Sequence, residues 1–275
     1  VFGAAGVMDF VKSSQRRPDD ETWWLIFMGQ QPQALATAWG KLGPLLRRHG
    51  VHLLYYAFDE ASRTMPCFQD LAPWLSVLIH DESPLVESSA VRLRPDCQRL
   101  HRSWVANLVP FSIPFNEAPE PGILFLGSQL GLTPHRQRQI DYLQARFKDR
   151  FHAIHDHSLS VADRGSVNRW NVSVCPEGRK FSSPAMAATH TDRPFWSGCL
   201  GMIPVSEDSQ SGGRLDPLHH AGLIVRYPHG DLVALGEACE RALAASRDER
   251  HRIYQYFNEH ETVGQVVAPI MALHA

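Results

Sequence analysis

The sequence predicts an α/β protein made of two parallel-sheet domains in tandem, facing a cleft. Three observations lead there. Apolar runs of strand length recur along the chain, separated by amphipathic helical stretches. The runs are continuous rather than alternating, as strands buried on both faces require. Residues 114–122 hold three prolines and a glycine, and the pattern restarts after them.

The elements follow in order. Trp23-Trp24-Leu25-Ile26-Phe27-Met28 is the first strand, ended by Gly29. A helix is expected from about Pro32 to His49, with Gly50 as its stop. His52 to Phe58 is the second strand and delivers Asp59 and Glu60 at its carboxyl end. Leu75 to Ile79 is the third and delivers His80, Asp81 and Glu82. Trp104 to Phe111 reads as a fourth. The domain boundary is expected near 117, giving domains of 1–116 and 117–275. Beyond it, Ile123 to Leu126 is a strand, Gly127-Ser128 its turn and Pro134 to Asp149 a helix. Phe151 to Ile154 and Val172 to Cys175 are short strands. Thr191 to Leu200 reads as a helix, and Gly201 to Val205 leads into another strand. Gly222 to Tyr227 is the last strand, followed by a helix from about Asp231 to Ala245 and terminal helical stretches. The Ser/Gly-rich residues 206–216 read as a surface loop.

Composition narrows the function. The 275 residues suffice for two small domains. A formal charge of −2 lacks the footprint of a strong non-specific nucleic-acid binder. With 20% charged and 44% hydrophobic residues the balance is globular, not disordered. No apolar run reaches the length of a membrane span. No basic segment followed by an apolar one reads as a secretory signal. The chain begins at Val1, which leaves room for residues upstream. Five cysteines, an odd number with no Cys-x-x-Cys pair, argue against a disulfide framework or a zinc ribbon. Reduced thiols and a cytoplasmic location are the expectation.

The stretch from Asn171 to Asp208 is the most informative. A strand leads to Cys175-Pro176-Glu177-Gly178-Arg179-Lys180, and Thr191-Asp192-Arg193-Pro194-Phe195-Trp196 opens a helix. Thr191 or Asp192 is placed to cap that helix, with Pro194 in its first turn. Arg193 adds a cation of bidentate reach to free N–H groups, a combination suited to a diphosphate. At Gly127-Ser128 the glycine lets a backbone approach a ligand closely and Ser128 can donate to a phosphate, with Arg136 and Arg138 on the next helix, although a lone Gly-Ser is more often just a turn.

Pro176-Glu177-Gly178, Thr191-Asp192-Arg193 and Gly201-Met202-Ile203-Pro204-Val205 together resemble the nucleotide-sugar region of glycosyltransferases of the two-domain, Rossmann-like GT-B fold. The order of elements agrees over roughly residues 20 to 270. The resemblance implies a C-terminal donor domain, an N-terminal acceptor-side domain and a terminal helix that crosses back to the latter. It implies transfer of a sugar from a nucleoside-diphosphate sugar, UDP-sugar by family frequency, to an acceptor hydroxyl, with no further cofactor and no metal. Donor contacts are expected from Gly127, Ser128, Arg136, Arg138, Pro176, Glu177, Gly178, Thr191, Asp192, Arg193 and Trp196. Many members carry a ribose-binding carboxylate a few residues after that arginine. Phe195 and Trp196 stand here instead, and Asp192 and Glu177 are the nearest carboxylates.

A narrower likeness is to phage-type DNA β-glucosyltransferases. It rests on Tyr55-Tyr56-Ala57-Phe58-Asp59-Glu60, Pro73-Trp74 and Asp81-Glu82, and it implies a hydroxymethylated DNA base as one acceptor. Inverting transfer needs a general base, and Asp59 or Glu60 at a strand's carboxyl end fits that role. Asp81 and His80 come second.

Two other classes compete. A dinucleotide-dependent oxidoreductase lacks its Gly-x-Gly-x-x-Gly, since Gly3-Ala4-Ala5-Gly6 has the wrong spacing. A non-catalytic nucleotide- or sugar-binding module keeps the fold without the base. The histidines and acid of His152, His155, Asp156 and His157 have metal-like composition, but a strand puts His152 on the opposite face from the other two histidines.

Overall fold

The computed structural model describes residues 6, 9–10, 13, 23–28, 35–57, 68–80, 93–101, 113–127, 133–155, 167–176, 193–208, 215–261, 268 and 272. The chain divides into an N-terminal unit, Val1–Glu82 with Val86–Trp104, and a C-terminal unit, Ser83–Leu85 with Val105–Ala275. No described helix is long and apolar enough to cross a membrane.

Among the described residues, the N-terminal unit holds a four-stranded parallel sheet whose strands pair in chain order. They are β1 (Trp23–Met28), β2 (Val51–Ala57), β3 (Val77–His80) and β4 (Gln98–His101). Register is set from Trp23 opposite Val51, Leu54 opposite Val77 and Val77 opposite Gln98. Helix α1 (Trp39–Arg48) crosses from β1 to β2, and α2 (Phe68–Leu71) lies before β3. Trp39 and Leu46 of α1 are fully buried with Leu71 and Leu75. Gly50 ends the crossover at φ +62°, a left-handed stop that glycine adopts without a Cβ clash.

Two expectations change here, and a third falls outside the described residues. The helix begins at Trp39 rather than near Pro32. The described fourth strand is Gln98–His101, and the run Trp104–Phe111 lies outside the described residues. Gln-Arg-Leu-His carries one apolar residue, so no hydrophobic run announces this strand. β1 is covered on one face among the described residues: Leu25 and Phe27 are buried while Ile26 is 55% exposed.

The C-terminal unit is a five-stranded parallel sheet in the order β6-β5-β7-β8-β9. Its strands are β5 (Glu120–Leu126), β6 (Phe151–Ile154), β7 (Trp170–Cys175), β8 (Ile203–Glu207) and β9 (Val225–Tyr227). The helices are α3 (Pro134–Phe147), α4 (Arg193–Cys199), α5 (Leu215–His220), α6 (Leu232–Leu243) and α7 (Arg247–His260). Every residue of β7 and β8 is buried, including the polar Asn171, Ser173, Ser206 and Glu207. Helix α6 lies across β5, β7, β8 and β9 and touches α3, while α4 packs on β7 and β8 and carries α7. The α4–α7 approach is close because residue 198 is glycine: a Cβ there would meet the Phe257 ring at 2.2 Å.

The described part of the proline-rich segment lies along α7. Tyr254 donates to the Ile113 carbonyl at 2.9 Å, Arg250 to the Asn116 carbonyl at 3.1 Å, and Arg247 pairs with Glu117. Phe115 packs its ring on His251 and Tyr254.

Candidate functional site

In an open parallel sheet, ligands bind at the carboxyl ends of the strands where the strand order reverses. In the C-terminal unit that point lies between β5 and β7, because the chain goes from β5 to β6 on one side and returns to β7 on the other. Gly127 follows β5 and Pro176 follows β7, so two residues singled out from sequence flank the switch point.

Two cationic side chains enter it from different helices. Thr133 caps α3, its hydroxyl accepting from the Arg136 N–H at 3.2 Å, with Pro134 in the first turn. This fixes Arg136 in that turn. Its side chain is 7% exposed, and Nη2 donates to the Pro176 carbonyl at 3.3 Å. Arg193 opens α4, and its Nη1 donates to the same carbonyl at 3.3 Å. Its guanidinium lies 5.7 Å from the Phe125 ring centroid. Gly127 leaves room for it, since a Cβ there would stand 3.3 Å from Arg193 Nη2 and 2.6 Å from the Phe125 ring.

The two like charges therefore stand a few ångströms apart around one acceptor. Anionic oxygens are their natural complement, because guanidiniums bind them by charge-assisted bonds. Helix α4 is held in place from below: the Ser197 hydroxyl donates to the Ser173 hydroxyl at 2.8 Å, both buried, which ties α4 to β7.

The remaining expected contacts divide. Arg138 is exposed, and two residues of helix carry it about 200° around α3 from Arg136. Trp196 is 7% exposed and belongs to the hydrophobic core of the unit. Asp59, Glu60, Ser128, Glu177, Gly178, Thr191 and Asp192 lie outside the described residues, as do Asp81 and Glu82. For His80 only the backbone, as the end of β3, is described.

Of the histidine stretch, His152 and His155 are described, and each packs on a different ring. His152 stacks on Trp170 with centroids 4.6 Å apart, and His155 lies edge-on to Phe125 at 5.8 Å. Asp156 and His157 are outside the described residues.

A cluster that sequence reasoning missed stands at the carboxyl end of β8. The Glu207 carboxylate is fully buried. Its Oε1 lies 2.7 Å from His135 Nε2 and 2.8 Å from His229 Nδ1 and accepts from the Gly230 N–H at 2.9 Å. Its Oε2 accepts from Gln139 at 3.0 Å. A carboxylate at a strand's carboxyl end is the signal that picked out Asp59 and Glu60, but 206–216 read as a loop. Among the described residues, His135, Glu207 and His229 form the group whose metal-type donor atoms lie within 4.8 Å of one another.

No protein-family model and no curated protein sequence matches the chain. Solved structures do match. A crystal structure of Anabaena Alr3699/HepE in complex with UDP and glucose superposes with TM-score 0.63 at 9% identity, over 98% of this chain and 81% of that one. The same protein with UDP-glucose gives TM-score 0.61 at 9% identity, over 97% and 82%. An apo structure of OtsA gives 0.51 at 10% identity, over 100% and 79%. With its parallel sheets of four and five strands, the chain has the Rossmann-like, two-sheet GT-B fold.

Proposed function

We propose that this protein is a glycosyltransferase that moves a sugar from a nucleoside-diphosphate sugar, a UDP-sugar first, to an acceptor hydroxyl. The observation that carries the reading is the convergence of Arg136 and Arg193 on the Pro176 carbonyl at the sheet's switch point. Support also comes from the fold shared with HepE, whose structures hold UDP, glucose and UDP-glucose. The sugar nucleotide is a co-substrate in this reading, with no separate cofactor.

The chemistry follows from where charge develops. The acceptor oxygen attacks the anomeric carbon and a new C–O bond forms. The bond from that carbon to the β-phosphate oxygen breaks, and the nucleoside diphosphate leaves with the electron pair. Arg136 and Arg193 receive that charge, as preorganised donors should. As fixed cations they can take up that charge without a metal ion. Asp59 or Glu60 takes the acceptor proton.

The test is a thermal-shift titration with UDP, GDP, TDP, CMP and NAD on the wild type and on Arg193→Ala. A ligand that binds the native state raises Tm. A rise with one nucleoside diphosphate that disappears in the variant supports the donor site. It also opens an acceptor screen that includes hydroxymethylated DNA. A rise with NAD alone overturns the reading in favour of an oxidoreductase. Hydrolysis of the sugar nucleotide without acceptor separates an enzyme from a binding module.

A further inference from the structure

We propose that His135, Glu207 and His229 bind a divalent transition metal of the zinc type, at a site distinct from the arginine pair. Two imidazoles and one carboxylate are a zinc donor set, and three protein ligands leave one position for water. Three elements supply them: His135 from the first turn of α3, Glu207 from the end of β8 and His229 from the turn between β9 and α6.

The hydrogen bonds around the cluster favour a cation over protons alone. Tyr227 Oη lies 2.6 Å from Gln139 Oε1 and donates to it, which turns the amide nitrogen toward the other side. That nitrogen lies 3.0 Å from Glu207 Oε2 and 2.7 Å from His135 Nε2. To accept from the amide, His135 Nε2 must present its lone pair. The same nitrogen lies 2.7 Å from Glu207 Oε1, which is also an acceptor when ionised. If Nε2 instead carries a proton, two donors face each other at the amide. Flipping the amide moves the conflict to its oxygen and Glu207 Oε2. Neither amide orientation satisfies every contact around an ionised Glu207. A cation between His135 Nε2 and Glu207 Oε1 takes both lone pairs, and Gln139 then keeps its bonds to Tyr227 and to Glu207 Oε2. Such outer bonds orient a ligating carboxylate.

The adjustment is small. Bonds of about 2.0–2.1 Å to zinc open each N–O contact to roughly 3.3 Å, from 2.7 and 2.8 Å. The imidazoles, stacked with centroids 4.5 Å apart, rotate so that both nitrogens face the ion. The His229 side chain is 30% exposed, so this ligand stands open to solvent.

The experiment is equilibrium dialysis of the full chain against zinc, with metal analysis. It is run on the wild type, His229→Ala, His135→Ala and a His219→Ala/His220→Ala control. One zinc per chain is expected in the wild type and the control, with that equivalent lost in the two site variants. The chain has 15 histidines, so undiminished binding in folded His229→Ala overturns the proposal, as does a wild type that holds no zinc. Circular dichroism verifies folding; if His135→Ala unfolds, His229→Ala, at the exposed turn, decides. Cobalt absorbance supplies a second readout: intense visible bands of four-coordinate cobalt are expected, and their absence counts against the site. Neither measurement uses a nucleotide, so the result is independent of the glycosyl-transfer reading.

Discussion

Arg136 and Arg193 stand on different helices, 57 positions apart in sequence, yet donate to one acceptor, the carbonyl oxygen of Pro176, each at 3.3 Å. Neither helix position implies the other. The meeting depends on β5 and β7 being neighbours, which brings the helix following each strand to one edge of the sheet.

The pair predicts a graded loss of anion affinity. A hydrogen bond to a charged group is worth about 1.5–3 kcal/mol. Arg193→Ala is therefore expected to weaken nucleoside-diphosphate binding about ten- to hundredfold. Arg136 is nearly buried, so Arg136→Met preserves volume while removing the charge. Calorimetric titration at two salt concentrations checks both variants, and unchanged affinity in each removes the arginines from the site.

Gly127→Ala tests the space between them. The added Cβ would lie 2.6 Å from the Phe125 ring and 3.3 Å from Arg193 Nη2, so the guanidinium must shift. Overpacking costs about 1–3 kcal/mol. A lower Tm together with weaker diphosphate binding is expected, and binding at wild-type strength would show that Arg193 is not crowded there.

Gly198→Ala separates stability from binding. Its Cβ would stand 2.2 Å from Phe257 and force α4 away from α7. Chemical denaturation should show a loss of about 1–3 kcal/mol, relieved by the added substitution Phe257→Leu. Additive effects in the double-mutant cycle would contradict direct contact.

The cysteines offer a test of burial. Desolvation pushes the Cys199 and Cys239 thiols up to about 12, and that of Cys97 up to about 11. The thiolate is the reactive form, so these three are expected to resist alkylation at pH 8 in the folded protein and to react on unfolding. Peptide mass spectrometry after timed alkylation reads this, and fast labelling of Cys239 in native protein would refute it.

The proline-rich segment gives a pH test. Hydrogen bonding to Arg247 holds the Glu117 carboxyl below its ordinary value. A carboxylate shifted down contributes stability above its unfolded value and loses it as pH falls through the lowered one. The clamp is therefore expected to persist to a pH below the usual glutamate range. In Arg247→Ala the titration of Glu117, followed by carbon NMR, should return upward, and an unmoved titration would exclude the pair.

Much of the fold was legible because buried parallel strands leave an unmistakable trace. Ile123 to Leu126 is a short apolar run ended by Gly127, as a strand buried on both faces requires, and Ile123, Leu124 and Phe125 are fully buried. The strand Gln98–His101 was not legible, since Gln-Arg-Leu-His offers one apolar residue and no hydrophobic run. At the site, Arg136 and Arg193 were readable as cations beside turns. Arg138 looked equivalent in sequence, and the turn of α3 sends it to solvent. Trp196 looked like a ring beside the ligand, and the core claims it. Glu207 went unread because Ser and Gly residues after it marked a loop.

By itself the sequence determined most of the buried strands and the long helices that follow them, where Gly50 and Gly127 end an element, and that the sheets are parallel. Those properties follow from local periodicity and from the conformations each residue tolerates. Only the tertiary structure decided the order β6-β5-β7-β8-β9, and with it the switch point, the shared acceptor of the two arginines and the meeting of His135, Glu207 and His229. Strand order is set by pairing between segments far apart in the chain, and no local pattern encodes which strand will lie beside which.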